Sequence, residues 1–209
     1  MKGSLTLMIT LLAWPVTAQD DDFSSKERKG NSVLKGQSEK NGTQSQTEDV
    51  LAYMRGRINR QNDAWFHDGD FVPVIENQEI LVQLDPQDED TWSSLVWMYQ
   101  NIEDPQMEWL TAKRFASANP TYSDSNYYEA LFLFRHRMYA KIPALLEPAI
   151  KFVPPADPNC YRLLAHSYTR MGYLADSLRV WDAYIKFKPD DAQAKVNRKK
   201  VADILHKTG

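Results

Sequence analysis

At 209 residues with 43% hydrophobic content, the chain can form one ordinary domain or one short repeat array with a buried core. Its net charge of −3 argues against a general nucleic-acid binder, which carries a marked basic excess. A single cysteine, Cys160, leaves no intramolecular disulfide, so packing must supply the stability.

The first residues read as an export signal. Lys2 supplies a positive charge, residues 5–16 are almost continuously apolar, and Val16-Thr17-Ala18 places small residues where a signal peptidase cuts. Residues 1–18 are therefore expected to be a signal peptide cleaved after Ala18, which sends the chain to the periplasm or outside the cell. The apolar run falls short of the roughly 20 residues a membrane span needs, and no later stretch qualifies, so no stable membrane insertion is expected after cleavage. Residues 19–47 are rich in Asp, Ser, Lys, Gln, Asn and Gly and read as a disordered linker. Phe23, Val33 and Leu34 bury too little to offset the entropy of ordering them. Asn41-Gly42-Thr43 matches a glycosylation sequon, a pattern common by chance. The folded part is expected over 48–209, with Thr47 as the N-cap of an opening turn near Glu48.

From Glu48 onward, aromatic and aliphatic residues recur at helical spacing, glycine is scarce, and no alternating β-branched run appears. The expected class is all-α. Within it, Pro86, Pro120, Pro154 and Pro189 are separated by 34, 34 and 35 residues. Each follows an apolar helical ending, such as Leu81-Val82-Gln83-Leu84 or Tyr184-Ile185-Lys186-Phe187. Proline stops a helix because it lacks the amide hydrogen and disfavours helix in the residue before it. Windows of 55–88, 89–122, 123–156 and 158–191, with Asp157 inserted, place Trp65, Tyr99, Leu133 and Tyr168 at one shared position. Gly69 and Gly172 share the mid-window turn.

This period and placement resemble the tetratricopeptide repeat family. The best match runs Tyr161-Arg162-Leu163-Leu164-Ala165-His166-Ser167-Tyr168, then Gly172, Ser177-Leu178, Trp181, Ile185 and Pro189. The resemblance covers about 55–191. It implies a right-handed α-solenoid of about four helix pairs, because one pair cannot bury its apolar stripe alone. Residues 191–207 read as a capping helix with Ala194, Val201, Ile204 and Leu205 inward and Lys195, Arg198, Lys199 and Lys200 solvated. Some residues depart from the pattern. Asn126 and Glu129 stand where the family has apolar residues, which leaves the register of the third window open by one residue. Pro148 lies well inside a helix and is expected to bend it, whereas Pro73, Pro105 and Pro143 fall in first turns. Asp104-Pro105 replaces a glycine turn, and Gln61, Asn62 and Gln78 occupy nominally buried positions in the first pair.

No catalytic set stands out. No two of His67, His136, His166 and His206 are three to five residues apart, and none pairs with Cys160 at metal-ligand spacing, so neither a metal nor another cofactor is expected. There is no phosphate loop and no nucleophile elbow. The acidic runs 20–22 and 85–90 read as solvated loop charges, since the second lacks a calcium loop's glycine.

By the resemblance, a groove is lined by the first helix of each pair. Mapped onto this chain, its residues are Asn59, Asp63, Phe66 and His67, then Ser93, Trp97, Gln100 and Asn101. Tyr127, Leu131, Phe134 and Arg135 follow, then Asn159, Arg162, His166, Thr169 and Arg170. Trp97, Tyr127, Leu131 and Phe134 would form an apolar strip if the register holds. Arg135, Arg162 and Arg170 would make the C-terminal end positive, suiting an extended protein segment with an apolar side chain and a carboxylate. The lysine and asparagine clamp of the family's chaperone-tail binders is not reproduced. The resemblance thus implies a protein-binding scaffold and no enzyme. The alternatives are a structural subunit of an envelope assembly that binds through its outer face, and an enzyme with an unrecognised site.

Overall fold

The structure, a computed structural model, describes residues 42–151 and 156–208. The expected signal peptide, linker residues 19–41 and Pro154 lie outside the described residues. Among the described residues there are nine α-helices and no strand: α1 (Gly42–Asp68), α2 (Phe71–Leu84), α3 (Glu89–Asn101), α4 (Pro105–Ala118), α5 (Tyr127–Arg135), α6 (Ile142–Ala149), α7 (Pro158–Met171), α8 (Leu174–Phe187) and α9 (Ala192–Thr208). A 3-10 turn, Tyr139–Lys141, leads into α6. From α2 to α9 each helix packs on the next, and α5 also packs on α7, one pair along. The fold is therefore an all-α stack of helix pairs, as the period predicts.

Three helix ends follow the proline spacing. The helices α2, α4 and α8 stop at Leu84, Ala118 and Phe187, two residues before Pro86, Pro120 and Pro189. Pro105 and Pro143 sit in the first two positions of α4 and α6, where a missing amide costs nothing. Three expectations are corrected, and one point left open is resolved. The first concerns residues 42–47, which are helix and not linker, and Thr47 is interior and not a cap. After Gly42 no breaker intervenes, and Gln46 and Glu48 favour helix. The second concerns Pro148, which does not bend a continuing helix. It lies one residue from the end of α6, only 8 residues long. Third, no register shift occurs in the third window: turns occupy 119–126, α5 begins late at Tyr127, and Leu133 is buried at its expected position. The fourth concerns α9, where Ala194 and Val201 are buried but Ile204 and Leu205 are exposed. They lie in its last turns.

The turn inside each pair repeats more closely than the sequence does. Asp70, Asp104, Met138 and Tyr173 each donate a backbone N–H to the carbonyl five residues back, on Trp65, Tyr99, Leu133 and Tyr168, at 2.8–2.9 Å. These acceptors are the four residues that define the window. The bond requires a left-handed residue just before the donor, found at Gly69 (φ 77°), Glu103 (φ 58°), Arg137 (φ 59°) and Gly172 (φ 81°). Only two of the four are glycine, so Glu103 and Arg137 carry strain from their Cβ atoms. Glu103→Gly and Arg137→Gly are each expected to raise stability by roughly 0.5–1 kcal/mol, measured by urea unfolding.

The core divides at the α4–α5 boundary. One cluster gathers Val74, Val82, Trp92, Leu95, Met98 and Phe115 from α2 to α4. The other runs from Ala130 to Val201 and is centred on Ile142, Leu146, Leu164, Trp181 and Tyr184. The first pair is partly polar inside, as its sequence indicates. Asn77 donates to Asn62 at 2.8 Å and Gln78 donates to Ser94 at 2.7 Å.

Candidate functional site

The mapped groove residues fall into three groups. The first is an aromatic ledge. Phe66, on the last turn of α1, and Trp97, mid-way along α3, have ring centroids 5.8 Å apart, and Phe71 lies 5.7 Å from Phe66. Phe66 is 39% and Trp97 44% exposed, so both side chains are partly open to solvent. Asp63 and His67 flank Phe66, with the imidazole 3.6 Å from the carboxylate. Asn101 donates its amide to the carbonyl of Trp97 at 2.7 Å, Gln100 beside it is half-buried, and Ser93 donates to the carbonyl of Asp90. Asn59 is exposed on α1.

The second group corrects the predicted apolar strip. Tyr127, Leu131 and Phe134 are half-buried and pack against the larger core cluster. Phe134 also meets Tyr139 at 5.2 Å between centroids. Burial, with Cys160 and Asp157 adding to it, pushes the Tyr127 hydroxyl up to about 12, so it stays neutral. Because α5 is short and leans on α7, these side chains complete the core. Trp97 is the one strip member that stays exposed.

The third group corrects the predicted positive end. Arg135 is spent on Glu108 of α4 at 2.6 Å. Arg162 is spent on Asp191 at 2.6 Å, lies over the Tyr184 ring, and donates to Asn159. Arg170 remains exposed on α7. His166 is half-buried with its ring 5.2 Å from that of Trp181. Burial, then the charges of Arg170, Arg162 and Lys200, hold its pKa below the usual imidazole range. Thr169 is turned inward, donating to the carbonyl of Ala165 and sharing a hydrogen bond with Ser177. Sequence reading placed Lys200 among the solvated residues of the capping helix and did not map it beside His166. A fifth window begun at Ala192 would have placed it at the position His166 and Trp97 hold in theirs.

Among the described residues, the mapped groove does not assemble a nucleophile. Cys160 is fully buried, and burial followed by Asp124, Asp157 and Glu89 pushes its thiol up, away from the thiolate. His166, six residues on, lies about 120° away around α7. Among the described residues no group of three His, Cys, Asp or Glu could hold a metal ion, and no helix is long and apolar enough to cross a membrane.

Stacked helix pairs of one period, each closed by the same left-handed turn, define a tetratricopeptide-type solenoid. Comparison with solved structures agrees on the fold. A MamA crystal structure superposes with TM-score 0.50 at 21% identity, over 68% of this chain and 88% of that one. TTC0263, a thermophilic TPR protein of Thermus thermophilus, gives 0.52 at 19% identity, over 68% and 77%. Residues 41 to the end of MamA from Desulfovibrio magneticus RS-1 give 0.52 at 15% identity, over 73% and 91%. No protein-family model matches the sequence, and no curated protein matches it.

Proposed function

We propose that the chain is a scaffold that captures a segment of another protein on the face formed by the first helices of its pairs. The observation that carries this reading is the Phe66–Trp97 ledge. Two large rings kept in contact with each other and open to solvent give a rigid apolar anchor, the kind of group that dominates recognition energy. A second set of exposed apolar residues supports the alternative, docking through the outer face. Ile80 and Leu84 on α2 and Leu110 on α4 are exposed, and a groove of about 560 Å³ runs past Val82, Trp92 and Leu110. The signal-like N-terminus supports placing the scaffold in the periplasm or outside the cell.

Pull-down from envelope extract distinguishes the two faces. Phe66→Ala with Trp97→Ala is expected to reduce partner capture about tenfold or more, and Leu110→Glu to leave it unchanged. The reverse result would move the function to the outer face.

A further inference from the structure

The half of the array that carries the ledge is strongly acidic. Residues 42–122 contain 14 Asp and Glu against 5 Lys and Arg, whereas residues 123–208 contain 9 against 14. Of the five cations in the first half, Arg55 is held by Asp85, Arg114 by Glu79, and Lys113 lies over the Trp109 ring. Local partners therefore take up three of the five cations of this half, leaving Arg57 and Arg60 exposed on α1, while Asp63 stands on the ledge itself with its side chain 76% exposed. In the second half the expected anion site has lost two of its three arginines to Glu108 and Asp191.

We propose that the segment captured at Phe66 and Trp97 is basic, and that it lays an arginine or lysine on the Trp97 ring with its charge toward Asp63. This rests on the scaffold reading and gives its partner a chemistry. A cation over an indole face is attracted by the ring quadrupole, more so for arginine, which also stacks. The surrounding negative field concentrates cationic segments and speeds their encounter. An acidic or neutral apolar segment would gain the ring contact and lose both electrostatic contributions.

The test uses the purified protein and two labelled twelve-residue peptides with the same leucine pattern. One has arginine and lysine at its polar positions, and the other has glutamate. Binding is followed by fluorescence anisotropy. The basic peptide is expected to bind at least tenfold tighter than the acidic one, with affinity falling as salt rises. Trp97→Ala is expected to weaken it about tenfold, Trp97→Phe to restore part of the loss, and Glu76→Gln, exposed on α2, to leave it unchanged. Circular dichroism should be unaltered, since Trp97 is surface-exposed. Equal or tighter binding of the acidic peptide, still sensitive to Trp97→Ala, would overturn the charge assignment and leave the scaffold reading standing. Basic-peptide binding that ignores Trp97→Ala and responds to Glu76→Gln would overturn both at this site. Self-association of the protein that the basic peptide fails to displace would assign the ledge to a second copy and overturn the proposal.

Discussion

Asp191→Ala is expected to destabilise the C-terminal end of the array by about 3 kcal/mol, and Asp191→Asn by about 2 kcal/mol. One carboxylate there serves three partners. Its Oδ2 accepts from the Tyr184 hydroxyl at 2.7 Å and from Arg162 at 2.6 Å, while Oδ1 accepts the Ala194 amide at 2.9 Å and so caps α9. Tyr184 is 1% exposed, so losing the carboxylate strands its hydroxyl in the core. Arg162 is half-exposed and re-solvates, which limits its share of the cost. Asparagine keeps the cap and loses the charge, hence its smaller effect. Burial opposes the charge on Asp191, but Tyr184, Arg162 and the Ala194 amide outweigh it and hold the carboxyl well below the usual carboxylate range. A lowered folded pKa gives stability that is present above the unfolded value, about 4, and lost as pH falls toward the folded one. The gap between wild type and Asp191→Asn should therefore narrow only under strongly acidic conditions. Hydrogen exchange resolved along the chain checks the location: α9 should lose protection first. A uniform loss across α2 to α8 would contradict the local account.

What the sequence disclosed was the repeat, and what it withheld was the pairing between repeats. The prolines at a period of 34 are legible because proline acts locally, on its own helix. Gly69 and Gly172 are legible for the same reason. Glu103 and Arg137 take the same left-handed turn with no residue-type signal, because the hydrogen bond to Tyr99 or Leu133 and the packing around it force the conformation from outside. A position map also offered Arg135 and Arg162 as free cations, and the structure pairs both. Their carboxylates lie 27 and 29 residues away, on a neighbouring pair and just before the capping helix, where spacing along one helix says nothing. The strip of Tyr127, Leu131 and Phe134 failed for a related reason. Turns take up the first residues of the third window, the shortened α5 settles against α7, and side chains that a full-length helix would present outward are drawn into the core. Trp97 and Phe66 stand clear because α1 and α3 are full-length helices.

Arg135→Ala should be among the most damaging single substitutions in the middle of the array, at about 3 kcal/mol near neutral pH, and the damage should be pH-dependent. The Glu108 side chain is 4% exposed and faces Arg135 across the α4–α5 boundary, where the two core clusters meet. Trp109 lies over Phe132 at the same boundary and adds to it. Burial raises the Glu108 pKa, with Arg135 and then His136 opposing. A raised carboxylate pKa contributes stability that is complete below the unfolded value and is lost as pH rises through the folded one, so ionised Glu108 is a cost that Arg135 offsets. Without Arg135, only His136 is left to oppose burial and the pKa climbs further. The Arg135→Ala deficit should then be largest near neutral pH and shrink as the medium is acidified, because the carboxyl takes up a proton and needs no partner. Adding Glu108→Gln to Arg135→Ala should recover most of the lost stability and abolish the pH dependence, because no charge remains to be buried. Urea unfolding of wild type, both single variants and the double variant at about pH 5 and pH 7.5 completes the cycle. A deficit for Arg135→Ala that is equal at both pH values would mean the arginine acts through its packing on α4, with its charge idle.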